Sequence, residues 1–505
     1  MAVPKIVGIE TEFGIITRGG SGESNPITAS SVLINAYVQE LVRTGQSART
    51  APRVGWDFED EMPHVDARGE TPAEARPPEV DTHLVNAVLT NGARYYVDHA
   101  HPECSTPECA DAREVVVWDK AAEEILRRSM AAASSLLAPG EEILVHKNNS
   151  DGKGNSYGCH ENYLLARDTP FGRIVRQITP FFVTRQVFAG AGKVGVEAPG
   201  LTSKDVPYQL SQRSDFFEEE VGLETTLKRP IVNTRDEPHA DAQKYRRLHV
   251  ILGDANMSEV ATYLKVGTTA IVLSMIEDDE LGLDLAPAAP VAALRRVSYD
   301  LGLSTPFELA AGGTITALEA QWEYFGRARK YAETRGLEAV GQEVGEDVMA
   351  RWEDVLTRLE TDPMSAADTV DWIAKRRLLD GYRERHDLEW GDSRLAAIAL
   401  QYHDLRPDRC LAARAGLQRI VDPAEADHAV SNPPTSTRAY FRGRCLQKWP
   451  DAIVAANWDS LVFDVGGDPL RRVPMMEPSR GTQEHVGTLI DECETAAELL
   501  SRLGT

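Results

Sequence analysis

A ten-residue segment at positions 94–103, RYYVDHAHPE, contains seven ionisable side chains. If the segment forms a strand, alternate side chains share a face, so Arg94, Tyr96 and Asp98 point the same way, and Glu103 lies just beyond at a proline-marked turn. A guanidinium beside a phenol and carboxylates can bind an anion and a divalent cation together, as in Mg-nucleotide. The opposite face of this strand would carry Tyr95, Val97, His99 and His101.

A second alternating run lies near the N-terminus, in the segment PKIVGIETEFGII at positions 4–16. A strand here places Glu10 and Glu12 on one face. Because Mg²⁺ prefers oxygen ligands, Glu10, Glu12 and Glu103 are candidate metal ligands, and the planar fork of Arg94 is suited to a phosphate.

Other readings of these residues remain open. His99 and His101 form an HxH pair that the same alternation allows as a zinc site, although a third ligand is missing. Charged residues on a strand face often contact only water, so each segment alone indicates little. Further pairs strengthen the case for a polar site, because the spacing also groups His160 with Asn162, Asn233 with Arg235, and Arg247 with His249.

Composition restricts the class of protein. The chain has 505 residues, 42% of them apolar, which predicts a globular protein of two to three domains. Its net charge of -24 argues against binding nucleic acid or an anionic membrane by electrostatics alone. We find no signal-peptide pattern and no apolar run approaching a membrane span, which predicts a cytoplasmic protein. The six cysteines form neither a disulfide framework nor a zinc pattern, and no GxxxxGK[ST] nucleotide motif is present.

The elements that must position the site follow from periodicity. Alternating segments predict a large, mainly antiparallel sheet, and helical patterns before and after them predict helices backing it, so the fold class is α+β. The predicted strands include 143–149, 158–166, 229–234, 247–253 and 458–467. The predicted helices include 29–43, 82–92, 112–137, 258–277, 317–336 and 366–385.

Two changes in composition divide the chain. Residues 50–81 hold nine acidic residues and five prolines with little apolar periodicity, which predicts a long flexible acidic loop. A proline-rich break near 431–443 predicts a boundary between a catalytic domain, 1–430, and a small C-terminal domain, 431–505.

Six separated segments resemble, in order, the Pup ligase/deamidase family, which acts on the prokaryotic ubiquitin-like protein Pup in actinobacteria and some other bacteria. The resemblance implies a catalytic domain related to glutamine synthetase and the γ-glutamyl-cysteine ligases. The segments are GIETEFG (8–14), YVDHAHPECSTPEC (96–109), KNNSDGKGNSYGCHENYL (147–164), the run from 209 to 241, RRLHVILGDAN (246–256) and NPPTSTRAYFRG (432–443).

The resemblance also implies roles for individual residues. Asp98 is implied as the catalytic carboxylate. The implied ligands of Mg²⁺ are Glu10, Tyr96 and Glu103, and the implied ATP contacts are Arg94, Thr106 and Trp458. Weaker candidates, as further Mg²⁺ ligands or as groups that hold phosphates and the last carboxylate of Pup, are Glu12, His160, His249, Arg213, Arg235 and Arg247.

Within the family, the long acidic loop and the sequence motif VDHAHPE favour deamidation of Pup and removal of Pup from pupylated proteins. The alternative is a Pup ligase that forms the isopeptide bond with ATP hydrolysis. A third reading, a Pup-binding protein without catalysis, is disfavoured by the intact Glu10, Asp98 and Glu103. The implied partners are Pup and pupylated proteins, with a pathway link to the bacterial proteasome.

Overall fold

The structure is a computed structural model that describes residues 1–19, 25–43, 54–59, 61–63, 65–69, 85–467 and 469–504. Its strands are β1 (Val7–Glu12), β2 (Gly14–Arg18), β3 (Gly55–Trp56), β4 (Asn86–Val88), β5 (Arg94–Asp98), β6 (His101–Ser105), β7 (Glu142–His146), β8 (Cys159–Ala166), β9 (Lys193–Val194), β10 (Tyr208–Gln209), β11 (Phe217–Gly222), β12 (Arg229–Asn233), β13 (Tyr245–Val250), β14 (Phe307–Glu308), β15 (Thr314–Ile315), β16 (Ile453–Ala456), β17 (Ser460–Phe463) and β18 (Arg471–Pro474).

Helices cover much of the rest of the described chain. They are α1 (Pro26–Arg43), α2 (Ala112–Ala133), α3 (Phe171–Thr184), α4 (Gln186–Ala189), α5 (Glu259–Glu277), α6 (Pro290–Tyr299), α7 (Ala317–Arg335), α8 (Gln342–Thr361), α9 (Asp371–His386), α10 (Ser393–Gln401), α11 (Pro423–Ala429), α12 (Ala439–Lys448), α13 (Gln483–Glu492) and α14 (Ala496–Leu503).

Six strands form the central sheet in the order β13-β8-β1-β6-β5-β4, and every neighbouring pair is antiparallel. In β1 buried and half-buried residues alternate, so Val7, Ile9 and Thr11 face one side and Glu10 and Glu12 the other. The predicted α+β fold with a large antiparallel sheet backed by helices is confirmed.

The apolar face of this sheet packs on α1, α2 and α5. By length and composition α5 could cross a membrane, which corrects the statement that no apolar run approaches that length. However, 94% of its apolar window is buried inside the protein. We therefore interpret α5 as a core helix, because its side chains are covered by neighbouring elements rather than exposed to a lipid-like surface.

A second sheet, β18-β17-β16-β3, has its own apolar core with α12, α13 and α14. Its edge strand β3 comes from the N-terminal half of the chain and pairs in parallel with β16. The division at 430/431 stays a prediction. Most of the segment 50–81 that we predicted as a flexible loop lies outside the described residues, but the described part includes β3.

Most of the predicted helices are confirmed, but one predicted helix and the placement of two predicted strands in the large sheet were wrong. The helix predicted over 82–92 is replaced at Asn86–Val88 by β4, an edge strand of the central sheet. The predicted strands 143–149 and 229–234 form as β7 and β12, but they pair with β2 and β11 instead of joining the central sheet. Periodicity indicates a strand and gives no information about which partner completes its hydrogen bonds.

Candidate functional site

The polar face of the central sheet collects the predicted site residues. Strand register sets Glu10 opposite His160 on β8 and opposite Ser105 on β6, and it sets Glu12 opposite Glu103. The same face continues through Tyr96, which is opposite Glu103. Side chains from neighbouring strands at matched register lie close together, so these four strands contribute to one polar surface.

The segment 94–103 is a hairpin, which corrects its prediction as one continuous strand. His99 and Ala100 form the turn, and His99 has a left-handed φ of 51°. Asp98 and His101 pair across the turn. Glu103 therefore belongs to β6 and not to a turn after it, and the reversal brings it back beside Tyr96. Pro102 lies inside β6 and marks no turn.

Three carboxylates meet at the hairpin end of the polar face. Oxygen atoms of Glu12, Asp98 and Glu103 lie within 4.8 Å of one another. Burial, together with the negative charges of Asp98, Glu12 and Glu10, raises the pKa of Glu103 well above its ordinary value. Burial opposes the ionisation of Glu12 as well, but the neighbouring His101 and His160 and the backbone N–H of Gly158 lower its pKa to about 2.

A second group lies further along the same face, where Glu10, His160 and His249 bring ligand atoms within 4.8 Å of one another. The Nδ2 of Asn162 donates to Oε1 of Glu10 at 2.9 Å, and the Oδ1 of Asn162 accepts from Arg247 at 2.9 Å. Burial would raise the pKa of Glu10, but hydrogen bonding from His160 and the charges of His249 and Arg247 hold it far below its ordinary value. Burial lowers the pKa of His249.

The two groups fit a divalent cation. Glu103 is 2% exposed and forms no ion pair with a cationic side chain within the described ranges. Burial and three neighbouring carboxylates raise its pKa. His249 is also 2% exposed, and its Nε2 has no hydrogen-bond partner in the structure. Buried carboxylates without a counter-charge are costly, and carboxylate oxygens and imidazole nitrogens are common metal ligands.

A pocket opens beside the Glu10 group. Thr106 and Trp458, both predicted to contact ATP, line this pocket together with Glu10 and Arg247. The third predicted ATP contact, Arg94, is not among the lining residues. Its guanidinium instead stacks on the ring of Tyr96 at 3.9 Å, and its Nε donates to Asn86 Oδ1 at 2.9 Å.

The other predicted arginines lie around the polar face. Arg213 is fully buried, donates to the backbone oxygen of Ile251 at 2.6 Å, and has a pKa lowered to about 10 by burial and by Arg229. Arg235 is close enough to His249 and Arg247 to lower the pKa of both. The Nε atoms of Arg213 and Arg235 are buried and have no hydrogen-bond partner among the residues that the structure describes.

The structure does not support the zinc pair. His99 is exposed at the hairpin turn, where its Nδ1 lies 2.7 Å from Oδ2 of Asp98. His101 is on the following strand with its Nδ1 3.6 Å from Oε2 of Glu12. Neither histidine belongs to the candidate metal groups found among the described residues.

Sequence reasoning missed Trp56 and Glu108. Trp56 lies in the segment interpreted as a loop, and its indole contacts both Arg94 and Trp458. Glu108 pairs with Arg438 at 2.7 Å and also with Arg442, and this links the end of β6 to α12. For Trp56, the sequence offered one signal, namely an uncharged Gly55-Trp56 pair within an acidic segment. That signal is too weak to predict a contact with a distant residue.

The fold and site together define a mixed α/β protein whose antiparallel sheet presents a carboxylate-lined face beside a pocket. Residues 5–462 match the family model described as Pup-ligase protein. A depupylase of Acidothermus cellulolyticus is 53% identical over 99% of both chains. A Pup deamidase/depupylase of Mycobacterium tuberculosis is 47% identical, again over 99% of both chains. The chain belongs to the Pup ligase family, which confirms the resemblance.

Ligases of the family are also similar to this chain. A Pup–protein ligase of Nakamurella multipartita is 42% identical and covers 80% of this chain and 90% of its own. The structure of the complex between Pup and its ligase PafA matches with a TM-score of 0.79 and 32% identity, covering 99% of this chain and 94% of that chain. A structure of PafA with ADP matches with a TM-score of 0.72 and 36% identity over 80% and 89% of the two chains.

Proposed function

We propose that this protein is a hydrolase that deamidates the C-terminal glutamine of Pup to glutamate and removes Pup from substrate lysines by isopeptide cleavage. One observation carries the proposal: relatives named depupylase or Pup deamidase/depupylase are 47% and 53% identical over 99% of both chains. The Pup–protein ligase named above is 42% identical and covers only 80% of this chain. Both proposed reactions are attacks on the same γ-carbonyl, so one site serves for both.

Asp98 is the proposed catalytic carboxylate. Its side chain is 37% exposed, whereas that of Glu12 is 12% exposed and the residue Glu103 only 2%. Asp98 is therefore the member of its carboxylate group that a substrate reaches most easily. His99, within hydrogen-bond distance of Oδ2, restricts the orientation of the Asp98 carboxylate.

Two routes through Asp98 lead to the same products. In one, a carboxylate oxygen attacks the γ-carbonyl, ammonia or the lysine amine leaves, and water hydrolyses the resulting anhydride. In the other, Asp98 takes a proton from water as the water attacks. Both routes consume one water and release one molecule of ammonia or amine, so the stoichiometry of the reaction does not distinguish them.

The proposed cofactors are Mg²⁺ and ATP. Glu10, Tyr96 and Glu103 are the proposed Mg²⁺ ligands, and Glu12 joins them because it lies in the Glu103 group. When bound, Mg²⁺ would supply positive charge to stabilise the negative charge that develops on the carbonyl oxygen. Nucleotide binding is supported by the structural match to PafA with ADP.

The proposed nucleotide contacts are Thr106 and Trp458 in the pocket and Arg94 beside it. Arg213, Arg235 and Arg247 are proposed to hold phosphates or the last carboxylate of Pup. The unpartnered Nε atoms of Arg213 and Arg235 support this role, because a buried guanidinium gains stability when an anion completes its hydrogen bonds.

The proposed partners are Pup and pupylated proteins. This is supported by the match to the complex between Pup and PafA and by the names of the full-length relatives. We further propose a cytoplasmic location and a pathway link to the bacterial proteasome, without binding to nucleic acid or membrane.

Incubation with Mg-ATP and Pup ending in glutamine tests the function by mass spectrometry. We expect the mass gain of one amide-to-acid conversion with the unaltered protein and none with Asp98→Asn. Conjugation of glutamate-ended Pup to a lysine substrate, with matching ADP release and no deamidation, would establish the ligase instead. A Pup-binding protein without catalysis predicts no conversion and an affinity for Pup that Asp98→Asn leaves unchanged.

A further inference from the structure

One side chain contacts two of the residues proposed to bind the nucleotide. The indole of Trp56 stacks on the guanidinium of Arg94 at 4.1 Å and meets the ring of Trp458 edge to face at 5.2 Å. Arg94 lies on the central sheet and Trp458 follows the end of β16 in the second sheet. Trp56 therefore joins the two sheets at the proposed nucleotide site.

Trp56 and Tyr96 both contact the guanidinium of Arg94. The guanidinium of Arg94 is 4.1 Å from the Trp56 ring and 3.9 Å from the Tyr96 ring. Cations over aromatic rings at these distances are attracted to the ring face, and the attraction is stronger when the cation is desolvated. An arginine held by two aromatic rings keeps its planar fork in one orientation, which reduces the conformational entropy lost when a phosphate binds.

The backbone and side chain of Trp56 are both fixed. Trp56 pairs with Ala456 in the parallel contact between β3 and β16, and the next residue, Asp57, donates from its backbone N–H to the oxygen of Ala456 at 3.0 Å. The Trp56 Nε1 donates to Oε1 of Glu61 at 2.6 Å. Trp56 is only 7% exposed.

Arg442 also contacts Trp458. The Arg442 guanidinium lies 5.2 Å from the Trp458 ring and donates to the backbone oxygen of Trp458 at 3.0 Å. Trp458 lines the pocket beside Glu10. Trp458 is thus a pocket-lining residue whose ring contacts both Arg442 and Trp56.

We propose that Trp56 is a positioning residue of the nucleotide site, which acts by fixing Arg94 and Trp458 in the orientations that receive ATP. This inference rests on the proposed nucleotide binding. It assigns a role in the site to the described start of the segment 50–81. Trp56 itself acts through its two neighbours, so its loss weakens nucleotide binding without removing a direct ligand.

The first test measures the Kd of Mg-ATP by isothermal titration calorimetry for the unaltered protein, Trp56→Leu and Trp56→Phe. Trp56→Leu loses both aromatic contacts, so we expect the Kd to rise about 5- to 30-fold. Trp56→Phe keeps a ring against Arg94, so we expect a rise of less than about threefold.

A matched control separates this role from general stability. Trp322 is a partly buried tryptophan in α7, where its ring meets Phe325 at 5.6 Å, and α7 packs on α3 and α8. We expect Trp322→Leu to lower the midpoint of thermal unfolding and leave the Kd of Mg-ATP unchanged. If Trp322→Leu weakens ATP binding as much as Trp56→Leu does, the specific role of Trp56 is refuted.

A double variant tests whether Trp56 acts through Arg94. Because neighbouring residues couple, Trp56→Leu combined with Arg94→Ala should raise the Kd by less than the product of the two single effects. Full multiplication of the two effects would overturn the positioning role. An unchanged Kd for Trp56→Leu also overturns it, whereas absence of ATP binding by the unaltered protein overturns the proposed nucleotide cofactor itself.

Discussion

Two buried glutamates on opposite faces of the central sheet have very different surroundings. On the helix-covered face, Glu161 accepts hydrogen bonds from Arg185 at 2.6 and 2.8 Å and another from Tyr163 at 2.6 Å. On the polar face, Glu103 is equally buried but lies among Glu12 and Asp98. The charge of Glu161 is balanced by Arg185, as is usual for a structural buried carboxylate, whereas the nearest charged neighbours of Glu103 are other carboxylates.

The polar face repeats this contrast within itself. Glu10 is surrounded by Asn162, His160 and Arg247, and its pKa is held far below its ordinary value despite burial. Glu103 has Tyr96 and other carboxylates as neighbours, and burial with those charges raises its pKa. Glu10 thus has cationic neighbours of its own, whereas Glu103 pairs with no cationic side chain among the described residues, which is the physical reason to propose a metal beside Glu103.

The largest effect should come from replacing the exposed carboxylate. We expect Asp98→Asn to lower the deamidation rate by at least about a thousandfold, because an amide can neither attack the carbonyl nor accept the proton of water. The rate is measured by mass spectrometry of Pup. The exposed Asp168→Asn serves as control and should retain full activity. Normal turnover by Asp98→Asn would exclude Asp98 as the catalytic group.

Replacing Glu10, which has cationic neighbours, should mainly change the stability of the protein. We expect Glu10→Gln to lower the free energy of unfolding by about 2 kcal/mol, since Arg247 and the histidines lose their buried negative partner. Urea unfolding without added metal measures this difference. Glu323→Gln on the exposed surface of α7 should change stability by less than about 0.5 kcal/mol. Equal effects of the two variants would contradict the compensation inferred for Glu10.

Much of this contrast could be anticipated from the sequence, and the limits have physical causes. Alternation placed Glu10 and Glu12 on one face correctly, because a strand with one buried face permits a single orientation. Alternation also grouped Tyr96 with Asp98. It failed after Asp98, because His99 takes the left-handed backbone conformation, which is uncommon for residues other than glycine and which alternation does not indicate.

Other features depend on contacts between distant residues. Trp56 reaches Arg94 only because β3 pairs with β16, about four hundred positions later in the chain. The family resemblance implied Glu10 as a Mg²⁺ ligand and Glu12 only as a weaker candidate. The geometry does not support that order, because Glu12 and not Glu10 lies in the same group as Glu103. Register across three strands decides that grouping, and no single segment contains it.

A smaller effect on stability is expected from replacing Glu103, the proposed Mg²⁺ ligand. We expect Glu103→Gln to stabilise the metal-free protein by roughly 1 kcal/mol, because it removes a charge that burial and three carboxylates disfavour. We also expect Mg²⁺ to raise the midpoint of thermal unfolding of the unaltered protein, by mass action, and to have little effect on Glu103→Gln. Destabilisation of the metal-free protein by this change would show that Glu103 is compensated after all.

The smallest effect concerns Glu12 and acid. Its pKa of about 2 in the folded protein lies below the ordinary value of about 4.3, so its ionised form stabilises the fold above about pH 4.3. That contribution is lost as the pH falls from about 4.3 towards 2, and it should already decline by about 0.6 kcal/mol between about pH 6 and about pH 4. The stability difference between the unaltered protein and Glu12→Gln, measured by urea unfolding without metal, should shrink accordingly. Glu103 has the opposite sign, because its raised pKa makes the metal-free fold more stable as the pH falls. A stability difference for Glu12→Gln that grows in acid would therefore mean that Glu12, like Glu103, lacks the cationic neighbours that His101 and His160 provide.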